Sequence, residues 1–274
     1  MDKRTTAARP DLAAVSLRGK VEAARFAEGE LRTVARGRAA LRAAPDADAE
    51  QVSELLFGED FAVYESKAGW SWGQAARDNY VGYVASTALD APLTPTHRVA
   101  ALATPLLLRP DVKAVSHDVL PLNARVAVES SEGGFARLAA GFVAPRHLVP
   151  HEGFEADFVL VAERFVGTPY VWGGRTRAGL DCSGLVQTAL AAAGIAAPRD
   201  TDMMEKTLGV PVAAADLRRG DLVFWKGHMG VMLDASRLLH ANAFHMEVAV
   251  EPLAAATLRI ASLSGPVTAI KRLA

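Results

Sequence analysis

The chain has a single cysteine, Cys182, among 274 residues. One thiol closes no internal disulfide, so nothing in the sequence points to maturation in an oxidising compartment. Clustered charge is also missing. The formal net charge is −1, with Lys and Arg spread along the chain, which argues against a nucleic-acid partner, since that needs a concentrated basic surface. No apolar run reaches the roughly 18 residues of a membrane-crossing helix. Met1-Asp2-Lys3-Arg4 and the residues up to Arg18 include charges but no apolar core of a secretory signal, so a cytoplasmic protein without membrane contact is expected. Against these absences, hydrophobic residues make up 50% and charged ones 22%. That is enough to bury a sizeable core and excludes wholesale disorder.

Three sections differ in pattern. Residues 1–30 are polar, with a weakly amphipathic piece from Asp11 to Phe26, read as an N-terminal arm or short helix. From Leu31 to about Pro150 short apolar and β-branched runs alternate with Gly, Pro and Asp, which predicts small antiparallel barrels. This section repeats itself. Leu41-Arg42-Ala43-Ala44-Pro45-Asp46 is echoed by Leu107-Leu108-Arg109-Pro110-Asp111, and Glu65-Ser66 with Gly69-Trp70 by Glu129-Ser130 with Gly134-Phe135. Gly82-Tyr83-Val84 is echoed by Gly141-Phe142-Val143. A period of about 60 residues suits a tandem pair of small barrels better than a solenoid. The two copies resemble bacterial SH3-like domains, at 31–91 and 96–150, with Pro92–Pro95 as linker. Only the first copy holds the insertion Arg77-Asp78-Asn79-Tyr80.

From His151 the pattern changes. Phe158, Val161, Ala162, Phe165 and Val166 mark one face of a helix closed by Gly167 and Pro169. A second helix is expected from Cys182 to Ala193, capped by Asp181, stopped by Gly194, and buried along Leu185, Val186, Ala189, Leu190 and Ala193. Strand-like runs follow at 221–225, 228–233, 237–241 and 246–250. Helices followed by an antiparallel meander make residues 151–274 an α+β domain.

Cys182 is the natural focus of chemistry. In the first turn of a helix a thiol is drawn toward thiolate by the helix terminus. Its neighbours Asp181, Ser183 and Gly184 are not those of a cysteine packed as a small hydrophobe. His228 and His240 flank Asp234-Ala235-Ser236, a hairpin turn. A three-residue loop sets both imidazoles on one face, one diagonal apart, whereas a two-residue loop turns them to opposite faces. Together they would form a nucleophile, a base and an orienting group. A zinc site from Cys182, His228 and His240, with Asn242 or His245 added, lacks the close-spaced ligand pairs of structural zinc. No metal or cofactor is expected.

Gly167-Thr168-Pro169-Tyr170-Val171-Trp172-Gly173-Gly174, Asp181-Cys182-Ser183-Gly184-Leu185-Val186, Pro198-Arg199-Asp200, Arg219-Gly220-Asp221-Leu222-Val223-Phe224, His228-Met229-Gly230-Val231 and His240-Ala241 occur in this order. Over about residues 155–255 the chain thereby resembles the NlpC-type cell-wall cysteine peptidases. The resemblance implies a papain-like cysteine peptidase domain preceded by two SH3-like barrels, acting on peptidoglycan stem peptides between γ-D-glutamate and a diamino acid. With the barrels in front, it is similar to the subgroup of γ-D-glutamyl-L-diamino acid endopeptidases that act on turnover peptides with a free N-terminal L-alanine. It implies Cys182 as nucleophile, His228 as general base and then acid, and His240 as its orienter. The Cys182 N–H and the Tyr170 hydroxyl are the oxyanion donors considered. Asp181, Ser183, Thr201, Tyr80 and Glu59 match positions that receive the substrate ammonium, for which carboxylate and hydroxyl acceptors are the fitting chemistry.

Each assignment has a plainer counterpart. Tyr170 and Trp172 could simply pack around the Gly173-Gly174 turn, Asp181 could serve only as a helix cap, and Glu59 could be a solvated barrel charge. Met203-Met204 stand where the family carries glutamine, Leu180 where phenylalanine is common, and Ala178 where proline is frequent. The leaving residue stays open between meso-diaminopimelate and lysine, and no motif speaks to oligomeric state. Two other functions compete: a catalytically inert module that binds cell-wall peptides, and an acyltransferase. The latter calls for a membrane-facing apolar element that the sequence does not offer.

Overall fold

The repeat in the sequence is also a repeat of strand register. In the first copy Arg42 pairs with Tyr83 and in the second Leu107 pairs with Phe142, so each Gly-aromatic-Val strand returns beside the strand that opened its copy. Each opening strand carries a bulge, between Leu41 and Arg42 or between Leu106 and Leu107. Each central hairpin turns on two residues with left-handed φ, Ala68-Gly69 and Gly133-Gly134. That backbone matches the twist of the flanking strands.

The computed structural model describes residues 1–273 and divides into two compact units, Met1–Gly153 and Phe154 onward. In the first unit, strands Gln51–Leu56, Arg38–Arg42, Val81–Ala85, Trp70–Ala75, Asp60–Lys67, Glu30–Val34 and Leu89–Asp90 lie side by side in that order. They wrap around Val34, Leu41, Leu55, Phe61 and Val84. The hydrogen-bonded order runs from 51–56 to 89–90, with no pairing among the described residues that closes the expected barrel. Residues 97–150 form a five-stranded and a three-stranded sheet around Val99, Leu106, Leu120, Leu138 and Val143, and Phe57 of the first copy enters that core. The two copies thus share side chains within one unit.

The N-terminal arm contains no α-helix. Leu12–Ala14 pairs in parallel with Arg25–Ala27 across a short 3-10 turn at Val15–Leu17. Ala7, Leu12 and Ala14 bury against Trp72, and Arg9 lies 4.4 Å over the Trp72 ring. Leu12 and Ala14 stand two apart, the period of a strand, and docking onto the sheet outweighs the weak helical pattern.

The second unit places helices against a six-stranded sheet. Its helices are α1 (Phe158–Glu163), α2 (Cys182–Ala192), α3 (Thr201–Thr207) and α4 (Leu253–Ser264). The strand order is Val210–Pro211, Ala269–Arg272, Leu222–Trp225, His228–Met232, Arg237–Asn242 and Glu247–Pro252. The four runs expected as strands, now 222–225, 228–232, 237–242 and 247–252, lie within two residues of their expected bounds. α1 is shorter than expected: Val159 is buried in place of Val166, which is 48% exposed. α2 was expected to be amphipathic, yet Ser183, Gly184, Gln187 and Thr188 are buried along with its apolar stripe. Its polar side chains find partners inside, with Gln187 Nε2 donating to the Ala197 carbonyl and Thr188 Oγ1 to that of Arg175.

Two elements had no signal in the sequence reading. α4 inserts Ala256 and Ile260 beside Val223, Trp225, Met232 and Leu238. The last strand joins the sheet next to 222–225, where Arg272 donates from Nε and Nη2 to the fully buried Asp221 at 2.7 and 2.8 Å.

Candidate active site

Asp181 has extended backbone and accepts the Gly184 N–H at 2.6 Å, so it caps α2 and makes Cys182 the first helical residue. The Cys182 N–H therefore lies among the first donors of the helix, which have no partner within it. The side chain is only 6% exposed. Its sulfur lies 3.7 Å from Thr201 Oγ1, at the start of α3, and receives the Met229 backbone N–H from the strand that begins with His228. Three elements thus meet at the thiol.

The free protein does not favour the expected thiolate. Burial pushes the Cys182 thiol up to about 11, and the Asp181 carboxylate adds to that. Thr201, the Met229 N–H and Arg199 oppose the rise without cancelling it. Desolvation of a buried sulfur outweighs the pull of one helix terminus.

The hairpin turns on the three-residue loop Asp234-Ala235-Ser236, with the Leu233 N–H donating to the Arg237 carbonyl. Val231 faces Leu239 and Met232 faces Leu238, so the two imidazoles share a face as that register requires. His228 Nε2 lies 2.8 Å from His240 Nδ1, with the rings inclined at 63°. Continuing the register sets Gly230 across from His240. A Cβ on Gly230 would lie 3.0 Å from His240 Cβ and 2.8 Å from Leu238 Cδ1, so the absence of a side chain there makes room for the second imidazole. Burial lowers both rings, helped by the positive charge of Arg259: His228 to about 4 and His240 to about 2.

A carboxylate stands behind the pair. His240 Nε2 lies 2.7 Å from Glu251 Oε1, and Arg259 of α4 donates to the same oxygen. The guanidinium is itself stacked 4.3 Å over the Phe244 ring. The sequence reading missed Glu251. Its available signal was parity, because Glu251 shares a face with Ala249, the residue paired to His240. His240, His245 and Glu251 form a group able to hold a metal among the described residues, but the carboxylate already faces a guanidinium, and His245 Nδ1 lies 2.9 Å from Asn242 Oδ1.

A second omission is Arg199. It is 1% exposed and grips both oxygens of Asp181 while donating to Ser183 Oγ at 2.8 Å. Asp181 also receives the N–H groups of Gly173 and Gly184 and the Ser183 hydroxyl. It is thus a cap, as its plainer counterpart had it, and the hub of a buried network. It can meet an ammonium only as an acceptor shared with these donors.

The other expected residues are placed as follows. Tyr170 is half-buried, and its hydroxyl is pushed up by burial and by the nearby Cys182 and Asp181, so it stays protonated and able to donate. Trp172 is 59% exposed. Glu59 and Tyr80 belong to the first unit, where both are buried. Glu59 is not the solvated charge of its plainer reading, since it accepts the Leu56 N–H at 3.0 Å and Arg77 Nη1 at 3.1 Å. The insertion forms a tight turn, with Asn79 in left-handed conformation and the Tyr80 N–H donating to Asp78 Oδ1.

Residues 167–261 match the NlpC/P60 family, and residues 41–89 match the bacterial dipeptidyl-peptidase Sh3 domain. The chain carries an NlpC/P60 domain behind a bacterial SH3 domain. A dipeptidyl-peptidase 6 of Lysinibacillus sphaericus is 27% identical over 239 residues, covering 78% of this chain and 88% of that protein. A gamma-D-glutamyl-L-lysine dipeptidyl-peptidase of Bacillus subtilis is 27% identical over 219 residues, covering 69% and 71%. The crystal structure of an NlpC/P60 family protein from Bacillus cereus superposes with a TM-score of 0.74 at 19% identity, covering 89% of this chain and 99% of that one. The NlpC/P60 fold is therefore shared. No helix among the described residues is long and apolar enough to cross a membrane.

Proposed function

We propose that this NlpC/P60 protein is a cysteine peptidase that cleaves peptidoglycan-derived peptides on the carboxyl side of γ-D-glutamate and releases an N-terminal dipeptide. The observation that carries the reading is the 2.8 Å contact of His228 with His240, on the strand whose next N–H meets the Cys182 sulfur. That is a nucleophile, a base and an orienter converging from one helix and two strands. The bond to be cleaved is suggested by the name of the Bacillus subtilis relative.

In this mechanism His228 takes the thiol proton as sulfur bonds to the γ-glutamyl carbonyl carbon. The resulting oxyanion is held by the Cys182 N–H at the helix start and by the Tyr170 hydroxyl. Collapse breaks the C–N bond, and His228 returns its proton to the departing amine. Water, deprotonated by His228, then cleaves the thioester, giving a free carboxylate and the thiol. Both groups begin neutral, because burial raises the thiol and lowers the imidazole, so proton transfer accompanies attack.

Recognition of a free L-alanine ammonium is assigned to hydroxyl acceptors near the nucleophile, Ser183 and Thr201, with Asp181 supplying negative charge behind them. Trp172 offers an exposed apolar face beside them. A peptide with a free amine is a turnover product, which suits a recycling role. The test is turnover of L-Ala-γ-D-Glu-diamino acid peptides, with lysine and with meso-diaminopimelate, beside their N-acetylated forms. Cleavage of the free peptide alone, abolished in Cys182→Ala, is expected. Equal cleavage of both forms removes the amine assignment, and cleavage of neither returns the chain to an inert binding module.

A further inference from the structure

We propose that Glu251, anchored by Arg259, is a positioning residue that sets the proton on each ring of the His228–His240 pair, so that His228 presents a bare Nδ1 to the thiol. The inference rests on the peptidase reading above and adds to it a group that does not touch substrate. Three contacts carry it: Arg259 to Glu251, Glu251 to His240 at 2.7 Å, and His240 to His228 at 2.8 Å. His240 is fully buried, so water does not supply its ring with competing partners, while the Glu251 side chain is 12% exposed.

The proton count follows from donors and acceptors alone. Arg259 only donates, and its guanidinium is ion-paired with Glu251, so the shared oxygen accepts from it as a carboxylate oxygen does. A carboxylate offers no proton, so the 2.7 Å contact requires His240 Nε2–H as donor. A neutral His240 then has a bare Nδ1, and the 2.8 Å contact to His228 requires His228 Nε2–H as donor. A neutral His228 is left with its lone pair on Nδ1, the one ring nitrogen not spent on His240. The opposite assignment places a proton on His228 Nδ1 and removes the base. Without the carboxylate, either arrangement satisfies the His228–His240 contact equally well. Glu251 breaks that tie, and Arg259 with the Phe244 ring behind it fixes where the carboxylate sits.

One feature of the geometry supplies an internal control. His240 and Arg259 both meet Oε1 of Glu251. A glutamine whose amide oxygen takes that place accepts from both and preserves the tautomers, whereas an alanine accepts from neither.

The experiment compares the full chain with Glu251→Gln and Glu251→Ala by nitrogen-15 NMR of the imidazoles near neutral pH, alongside turnover of the γ-D-glutamyl peptide. The expected spectrum of the parent and of Glu251→Gln shows His240 and His228 each protonated at Nε2. In Glu251→Ala the two tautomers mix, and kcat falls about tenfold to a hundredfold with KM nearly unchanged. A Glu251→Ala spectrum with both rings still protonated at Nε2 overturns the proposal, as does a Glu251→Gln variant that keeps the tautomers yet is as inactive as alanine. The tautomers are read without substrate. A failed peptidase reading therefore shows as lack of turnover in the parent chain, separately from a failed relay.

Discussion

Replacing Arg199 by methionine should strongly destabilise the start of the helix that carries Cys182. The guanidinium is 1% exposed, meets both oxygens of Asp181 and also reaches Ser183 Oγ. Methionine fills much of the same volume but leaves the buried carboxylate with only the Gly173 and Gly184 N–H groups and the Ser183 hydroxyl. Removing one member of a buried ion pair costs about 3–5 kcal/mol, most of it the penalty of the charge left behind. Arg199→Lys keeps the charge but loses the two-pronged geometry and should cost less, about 1–3 kcal/mol. In a double-mutant cycle with Asp181→Asn, the pair should be coupled by about 2 kcal/mol or more. Urea denaturation of the full chain, followed by far-ultraviolet circular dichroism, measures all four species. The chemistry should move with stability, because Arg199 lowers the thiol and Asp181 raises it, so the folded Arg199→Met protein should alkylate more slowly than its parent. A loss below about 1 kcal/mol for methionine, or strict additivity in the cycle, would refute the argument that this pair holds the helix start in place.

Other perturbations test neighbouring parts of the site. The ordinary imidazole value is 6.5 and His228 sits at about 4 in the folded protein. Between those values the unfolded chain binds a proton that the folded one does not, so stability is full above pH 6.5 and lost as pH falls toward 4. The gap corresponds to about 3 kcal/mol, seen as an excess loss of stability relative to His228→Gln over that window. Equal losses in the two proteins would contradict it. With the thiol pushed up to about 11, roughly one molecule in three thousand is thiolate at about pH 7.5. Iodoacetamide labelling should therefore climb steadily from pH 7 to 10, whereas a fast, flat rate from pH 5 upward would reveal a preformed thiolate–imidazolium pair. Gly230→Ala places a methyl 2.8 Å from Leu238 Cδ1 and 3.0 Å from His240 Cβ. It should cost about 1–3 kcal/mol and displace the His240 imidazole, with turnover falling in step, and a fully active variant would show that the strand yields without cost.

Local pattern carried much of the architecture. The helix at Cys182 was visible because a capping acid, an apolar 3.6-residue rhythm and a stopping glycine agree, and the meander because alternating runs are separated by turn residues. The tandem copies showed themselves by repeating the same Gly-aromatic turns. What stayed hidden is what sequence-distant groups settle. The arm reads as weakly helical and becomes strand once Trp72 offers it an apolar surface. α4 and the last strand are held by the sheet they complete, and Arg272 recognises Asp221 from the far end of the unit.

The site divides along the same line. Residue types and their order in the chain were enough to propose Cys182, His228 and His240 as a group, because a nucleophile, a base and an orienter would each need a particular functional group. Whether the imidazoles meet depended on one residue of hairpin loop, since a strand reverses its faces with every single-residue slip. The protonation of the thiol was decided by burial, which overrode the helix terminus. Glu251, Arg259 and Arg199 entered through packing alone, as their partners are chosen by strand register and helix docking. Chemistry is written in side-chain identity, while charge state and alignment arise only when the folded chain excludes water and brings distant segments together.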